Sequence, residues 1–477
     1  MVDGGCWYLL DRGLTCQSGL GLYEPVDGKV IFGAWVDSAT AGTPNAFQTA
    51  GGDSPSLFNT RLGLNAGAFQ LSQNLPVNIS QYDHSKLTAN LTLIEATKTG
   101  IYIVAISPYR TLTPIIESSD AILFLTVYPT SFVDGVYTDD DIASLAYQLS
   151  NITDPSLSSR RVMLRFAPEM NGYWFSYGLQ PVKFVSEWKR IVTAVRAVTN
   201  RVAFVWSPNS GNLYPFGATK PSNATEAAAL DTNNNGELDN GDDPYTPYWP
   251  GAEYVDWVGI SLYWKGNIDT GTPPHDNSAS PTDYWTQMVQ GGPDGSNTAF
   301  PFYTMFADKY SIPLVMSEGG AAFALFQGPT NTTLPVNAGQ ITIEQTFWRS
   351  YLSTTVFSTY PKAKMFFNFE YAKYDEDATK DAQGNYIDDG VTRDYRITWD
   401  PSTLAAFKSD VASLSSTLQW AVNFVGGIDP LTIAGGQTPQ SSTASISGTA
   451  TAAATKSAAQ SVGSSAFAIF FLLGLFF

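Results

Sequence analysis

The chain has 477 residues, enough for one large barrel-type core with appendages or for two to three ordinary domains. A formal net charge of −17 would repel a phosphate backbone and no basic stripe offsets it, so nucleic acid is not an expected partner. Only 14% of residues are charged and only two, His84 and His275, are histidines, so a His-centred triad or a multi-histidine metal site has little material and catalysis falls to carboxylates.

Residues 1–27 form an N-terminal segment. It opens "MVDGGCWYLLDRG", without a basic start followed by an apolar stretch, and reads as a start lacking its leader. Cys6 and Cys16 would form a disulfide in a secreted protein and stay a free pair otherwise. Five N-x-S/T triplets, at Asn78, Asn90, Asn151, Asn223 and Asn331, favour secretion, though each alone is weak.

From residue 28 short apolar runs alternate with amphipathic segments. The predicted strands are 30–36, 101–107, 121–128, 161–167, 201–207, 254–263, 312–317 and 364–369. Nearly all are continuously apolar, as parallel strands covered on both faces require. Among the intervening segments, "TDDDIASLAYQL" places Thr138 and Asp141 at capping-box spacing, with Ile142, Leu145, Ala146 and Leu149 following on one face. In "PVKFVSEWKRIVTAVRAVTN" Pro181 suits a first turn, and Phe184, Trp188, Ile191, Val192, Val195 and Val198 fall on one stripe. "TIEQTFWRSYLSTTVF" and "DPSTLAAFKSDVASLSSTL" read as helices too. Eight strands with interleaved helices predict an α/β chain folded as a (β/α)8 TIM barrel over residues 28–412. A doubly wound sheet would need a glycine-rich turn after its first strand, and there is none.

Residues 413–434 form an extension, 435–465 a Ser/Thr/Ala-rich linker expected to be disordered, and 466–477 an apolar tail, "AFAIFFLLGLFF". That tail is shorter than the roughly 20 residues of a comfortable membrane span. Small residues, polar spacer and terminal apolar stretch match a glycolipid-anchor signal, with a residue such as Ser457 becoming the anchored end. The expectation is an extracellular, surface-anchored monomer touching the membrane only through its lipid.

In such a barrel the reactive groups sit at the C-terminal ends of the strands. Glu169 follows the fourth predicted strand by two residues, and Glu318 follows the seventh directly. Either alone reads first as a structural ion-pair carboxylate; the pair, with aromatic residues beside both, reverses that reading. Facing each other across the barrel mouth, at the about 5 to 5.5 Å of a retaining glycosidase, one would attack an anomeric carbon while the other protonates the leaving oxygen. Aromatic residues lie beside both. Trp174, Trp206 and Tyr263 are the candidates for stacking on the apolar face of a sugar, although aromatics are more often core.

The segment "LRFAPEMNGYWFSYG" resembles the acid/base segment of glycoside hydrolase family 26, and "VWSPN", "YVDWVGISLYW", "PLVMSEGG" and "TRDYRITWD" resemble its later segments in order. The resemblance, to a fungal-type, surface-anchored member, spans residues 28–412. It implies a retaining mechanism with Glu169 as acid/base and Glu318 as nucleophile, and substrate-side positions at Arg165, Asn171, Trp174 and Tyr263. Arg165 could also hold the nucleophile ionised. β-1,4-Mannan is the family's commonest substrate. The family usually has histidine just before the acid/base; here stands Pro168, with no side-chain donor for a sugar hydroxyl, which leaves β-glucan and β-xylan open. The rival readings are a catalytically inactive wall-binding protein and an intracellular metabolic barrel enzyme.

A second pattern, "DTNNNGELDNGDD", offers Asp231, Asn233, Asn235, the carbonyl of Glu237 and Asp242 at calcium-loop spacing, with Gly236 at the sharp turn. The alternative is a solvated acidic turn. No cofactor is expected for the chemistry itself, and calcium, if bound, would only stiffen the loop.

Overall fold

The computed structural model describes residues 19–37, 53, 55–76, 119–132, 136–154, 160–266, 277–291, 300–327, 332–333, 338–375, 378–380, 386–388 and 390–422. Both cysteines, both histidines, the triplets at Asn78, Asn90 and Asn331, the strand expected at 101–107, and the linker and apolar tail lie outside them. Among the described residues no helix is long and apolar enough to cross a membrane.

Eight parallel strands close into a barrel: β1 (Val30–Val36), β2 (Ala68–Leu75), β3 (Ile122–Pro129), β4 (Val162–Phe166), β5 (Val202–Trp206), β6 (Trp257–Trp264), β7 (Leu314–Ala321) and the eighth, Ala363–Glu370. Each pairs with its neighbour in chain order, and the eighth closes the ring on β1 with Ile31 opposite Met365 and Val36 opposite Glu370. The (β/α)8 architecture expected from alternating apolar and amphipathic runs is the one found. Its second strand is not the expected 101–107 but Ala68–Leu75, whose sequence AFQLSQNL carries four amides or hydroxyls in its last six residues and so lacks the continuous apolar signature.

Side-chain alternation along each strand divides the apolar residues into two layers. Ile31, Ala68, Ile122, Phe124, Met163, Ala203, Val205, Trp257, Val315, Met365 and Phe367 fill the barrel interior, with the rings of Phe124 and Phe367 4.7 Å apart. The alternate residues, among them Phe32, Leu123, Leu164, Phe204 and Leu314, face the helices in a larger cluster. Both faces are buried, which is why the strands read as unbroken apolar runs. At the N-terminal end Leu22 and Tyr23, ahead of the expected boundary at residue 28, pack against the interior cluster. The Leu22 carbonyl accepts the Trp257 indole N–H at 2.8 Å.

The helices start where their sequences supply capping groups. Thr138 and Asp141 make the expected reciprocal capping box of helix Asp139–Thr153. Asp400 caps Pro401–Ser413 through the amides of Ser402 and Thr403. The stripe on Pro181–Arg196 is buried through Val195, but Val198 lies beyond the helix end and is exposed. The segment expected as one helix over 342–357 is two, Gln340–Tyr351 and Thr354–Thr359, the second restarted by the Ser353 cap. A small antiparallel sheet sits after the seventh and eighth barrel strands: Phe323–Gln327 and Ala372–Asp375 pair on either side of Val391–Asp394, and Thr332–Thr333 adds to the outer edge.

Candidate active site

Above the apolar interior the inward-facing positions turn polar. Gln70 on β2 and Thr126 on β3 hydrogen-bond at 3.0 Å; Arg165 on β4, Ser207 just after β5, and Ser261 on β6 lie on the same side as interior residues earlier in their strands. Arg165 is wholly buried and bonds in three directions: Nε to Ser207 Oγ at 3.0 Å, one terminal nitrogen to Ser261 Oγ at 2.7 Å, the other to Glu318 Oε1. A buried guanidinium with no carboxylate would be prohibitively costly, so its partner is fixed by its presence.

Glu318 faces the mouth because of a register shift. Opposite β6, Ile260 pairs with Met316 but Ser261 pairs with Glu318, so Ser317 is an extra residue in β7. Ser317 Oγ lies 2.6 Å from Ser207 Oγ in the interior layer, and the bulge lets the next residue point inward as well. Glu318 therefore lies within β7, not just beyond it as its sequence position suggested. The Tyr263 hydroxyl donates to its second oxygen at 2.8 Å.

Glu169 is held in the turn after β4. Its amide donates to the Ser207 carbonyl at 2.9 Å, and both Glu169 (φ 54°) and Ala167 (φ 46°) occupy the left-handed region, which side-chain-bearing residues rarely adopt. Such strain persists only where the surroundings over-determine it. The Trp174 indole donates to Glu169 Oε2 at 2.9 Å and lies over the backbone of Gly172, where any Cβ would come within 2.3 Å of the ring. A glycine at 172 is what allows that approach.

The two carboxylates thereby sit around one guanidinium. Arg165 pairs with Glu318 and donates to Ser261, and the charges of both Arg165 and Glu318 act on Glu169. Burial, followed by the Glu318 charge, pushes the Glu169 carboxyl from its ordinary value up to about 7, against the opposing pull of Arg165, Ser261 and Trp174. Glu318 receives a donor on each oxygen, Arg165 on one and Tyr263 on the other.

The remaining expected substrate contacts fall into two groups. Trp174 and Tyr263 are half-buried at the mouth, and Tyr173 is exposed beside them. Arg165 and Asn171 are wholly buried; the Asn171 amide exchanges two hydrogen bonds with the Asn209 backbone, at 2.9 and 2.8 Å, and ties the β4 turn to the β5 turn without reaching the cleft. Trp206 does not line the groove at all. Its ring is fully buried, stacks on Phe302 and donates to the Tyr248 carbonyl, because its place in the strand alternation turns it towards the helices. Residues missed from sequence were Ser207, Ser261 and Ser317; the available signal was strand phase, which puts Ser207 and Ser317 two residues above interior Val205 and Val315 and Ser261 four above Trp257.

In the acidic loop, Asp231 accepts the amides of Asn235 and Gly236, Asn233 accepts that of Asn235, and Asn235 accepts that of Glu237. Asp242, almost wholly buried, accepts the amides of Thr232, Asn233 and Asp239. The loop is thus closed by its own amides. Among the described residues no group of three or more His, Cys, Asp or Glu side chains converges to hold a metal ion.

Neither a family model nor a curated protein sequence matches the chain. Solved structures resemble it at low identity. The catalytic domain of a glycoside hydrolase family 26 endo-β-1,4-mannanase from Bacillus sp. JAMB-750 aligns over 82% of this chain and 87% of its own, at 15% identity and a TM-score of 0.43. A modular endo-β-1,4-mannanase from Cellulomonas fimi aligns over 83% and 73%, at 13% identity and 0.43. A family 26 β-mannanase from Bacteroides ovatus aligns over 82% and 90%, at 11% identity and 0.39.

Proposed function

We propose that this chain is a retaining glycoside hydrolase acting on a β-linked wall polysaccharide, with β-1,4-mannan the first substrate to test and β-glucan and β-xylan the next. The observation that carries the reading is the division of labour imposed on two glutamates at one barrel mouth. Glu318 is paired with Arg165 and accepts from Tyr263; Glu169 is buried, and burial followed by the Glu318 charge pushes its carboxyl up to about 7.

In the first step a Glu318 oxygen attacks the anomeric carbon, the bond to the leaving sugar's oxygen breaks, and the Glu169 proton passes to that oxygen. In the second, the Glu169 carboxylate takes a proton from water, the resulting oxygen attacks the same carbon, and the bond to Glu318 breaks. Two inversions leave the configuration unchanged.

The test is release of reducing ends from mannan, mixed-linkage glucan and xylan, with the product anomer followed by NMR. A Glu318→Ala variant should lose at least about 10³-fold in turnover and recover part of it with azide, yielding an α-glycosyl azide. Silence of the wild-type chain on every polymer, or an inverted first product, would defeat the proposal. The surface anchoring expected from the tail belongs to the same reading and is tested by phospholipase release from intact cells.

A further inference from the structure

Tyr128 stands at the C-terminal end of β3, next to the β4 turn that carries Glu169. Strand alternation places it on the face of Ile122, Phe124 and Thr126, two residues above Thr126, so it points into the barrel mouth one layer above the polar ring that holds Arg165. Its ring is half-buried between two aromatic groups. On one side lies Phe175, with centroids 5.5 Å apart; on the other is the small cluster of Trp35, Ala322, Phe369 and Tyr395 that also supports Tyr263.

Four polar side chains around the two glutamates already have partners. Arg165 holds Glu318, Ser207 and Ser261; Trp174 donates to Glu169, Tyr263 donates to Glu318, and Asn171 is locked to Asn209. The Tyr128 hydroxyl has no hydrogen-bond partner among the described residues and is not sealed from solvent. Burial, and then the charge of Glu318, hold this phenol well above its ordinary pKa, so it remains a donor throughout the working range.

Resting on the hydrolase reading above, we infer that Tyr128 is the residue that recognises the sugar at the cleavage point, by donating its hydroxyl hydrogen to the sugar's C2 oxygen. The argument is one of reach. The anomeric carbon must lie between Glu318 and Glu169, its ring neighbours are the ring oxygen and C2, and C2 alone of these carries a hydroxyl. A donor facing both carboxylates therefore meets the C2 oxygen first. The contact fixes the sugar between the two carboxylates, a positioning role that acts on bound substrate and transition state alike.

The experiment uses the whole chain, wild type and Tyr128→Phe, on 4-nitrophenyl β-glycosides of mannose, glucose and xylose oligomers and on their analogues lacking the C2 hydroxyl at the cleavage sugar. Phenylalanine keeps the ring against Phe175, so the thermal midpoint should stay within about 2 °C. On the full sugar kcat/KM should fall by about tenfold, and on the 2-deoxy analogue by less than about twofold. An active wild type whose Tyr128→Phe variant is undiminished, or equally diminished on both substrates, would overturn this inference and leave the hydrolase reading standing. A wild type inactive on every glycoside would overturn both.

Discussion

Glu169 and Trp174 show how single side chains divide the work at this mouth. The indole N–H is among the groups that pull the Glu169 carboxyl down, while burial and Glu318 push it up to about 7. Because the acid must carry its proton to act, kcat/KM should fall on the alkaline side with a midpoint near 7. Trp174→Phe removes a donor that favours the anion, so that limb should move to higher pH, by up to about one unit. A limb that moves down, or stays put, would show that the indole does not govern the acid. The residue types of this site were legible in sequence: a glutamate two positions after a buried strand, with aromatics beside it. Which aromatics face the groove was not. Trp206 and Tyr263 are both aromatic residues near strand ends, yet one is sealed against Phe302 and the other touches Glu318, because strand phase decides and one residue reverses it.

At the scale of elements, apolar runs identified seven of the eight barrel strands, since burial on two faces is itself a sequence pattern. Ala68–Leu75 escaped because its mouth-side half is polar, with Gln70 and Gln73 bonded to Thr126 and Gln148. The β7 bulge escaped for a different reason: an inserted residue is a relation between two strands, and "VMSEGG" alone does not contain it. Helix Pro181–Arg196 has a further hidden dependence. Its N-cap, Gln180, makes no side-chain hydrogen bond, and the amides of Val182 and Lys183 are instead accepted at 2.8 and 3.2 Å by Glu226, from helix Ala224–Leu230. An anion there satisfies two orphan donors and favours the positive helix end. Glu226→Ala should therefore lower unfolding stability by about 1–2 kcal/mol in a denaturant titration, with Glu226→Gln recovering part by keeping an acceptor. Equal stability of Glu226→Ala and wild type would mean that water replaces the carboxylate without loss.

For the molecule as a whole, the buried carboxyl groups predict a stability optimum on the acid side. Glu169 and Glu370 are both raised from 4.5 to about 7, chiefly by burial; Glu344 and Asp256 are raised for the same reason. A group with a folded pKa above its unfolded one keeps its full contribution below about 4.5. That contribution declines as pH rises towards 7, where the unfolded chain ionises first, and for each of Glu169 and Glu370 the loss is on the order of 3 kcal/mol. Asp375 works the other way. Surrounded by Lys265, Lys373 and Arg393, it is held well below 3.8, so its contribution is present above that value and disappears in acid. The formal net charge of −17 adds self-repulsion in the same direction as the glutamates when pH climbs. Thermal unfolding should consequently show its highest midpoint near pH 4 to 5 and a lower one at pH 8. Glu370→Gln should flatten that slope without moving the alkaline limb of activity, because Glu370 is bonded to Asn368, Ile397 and Thr398 rather than to the catalytic pair. A midpoint that is flat or rising from pH 5 to 8 would mean that these carboxyls ionise as freely folded as unfolded, and Glu169 would then have no proton to give.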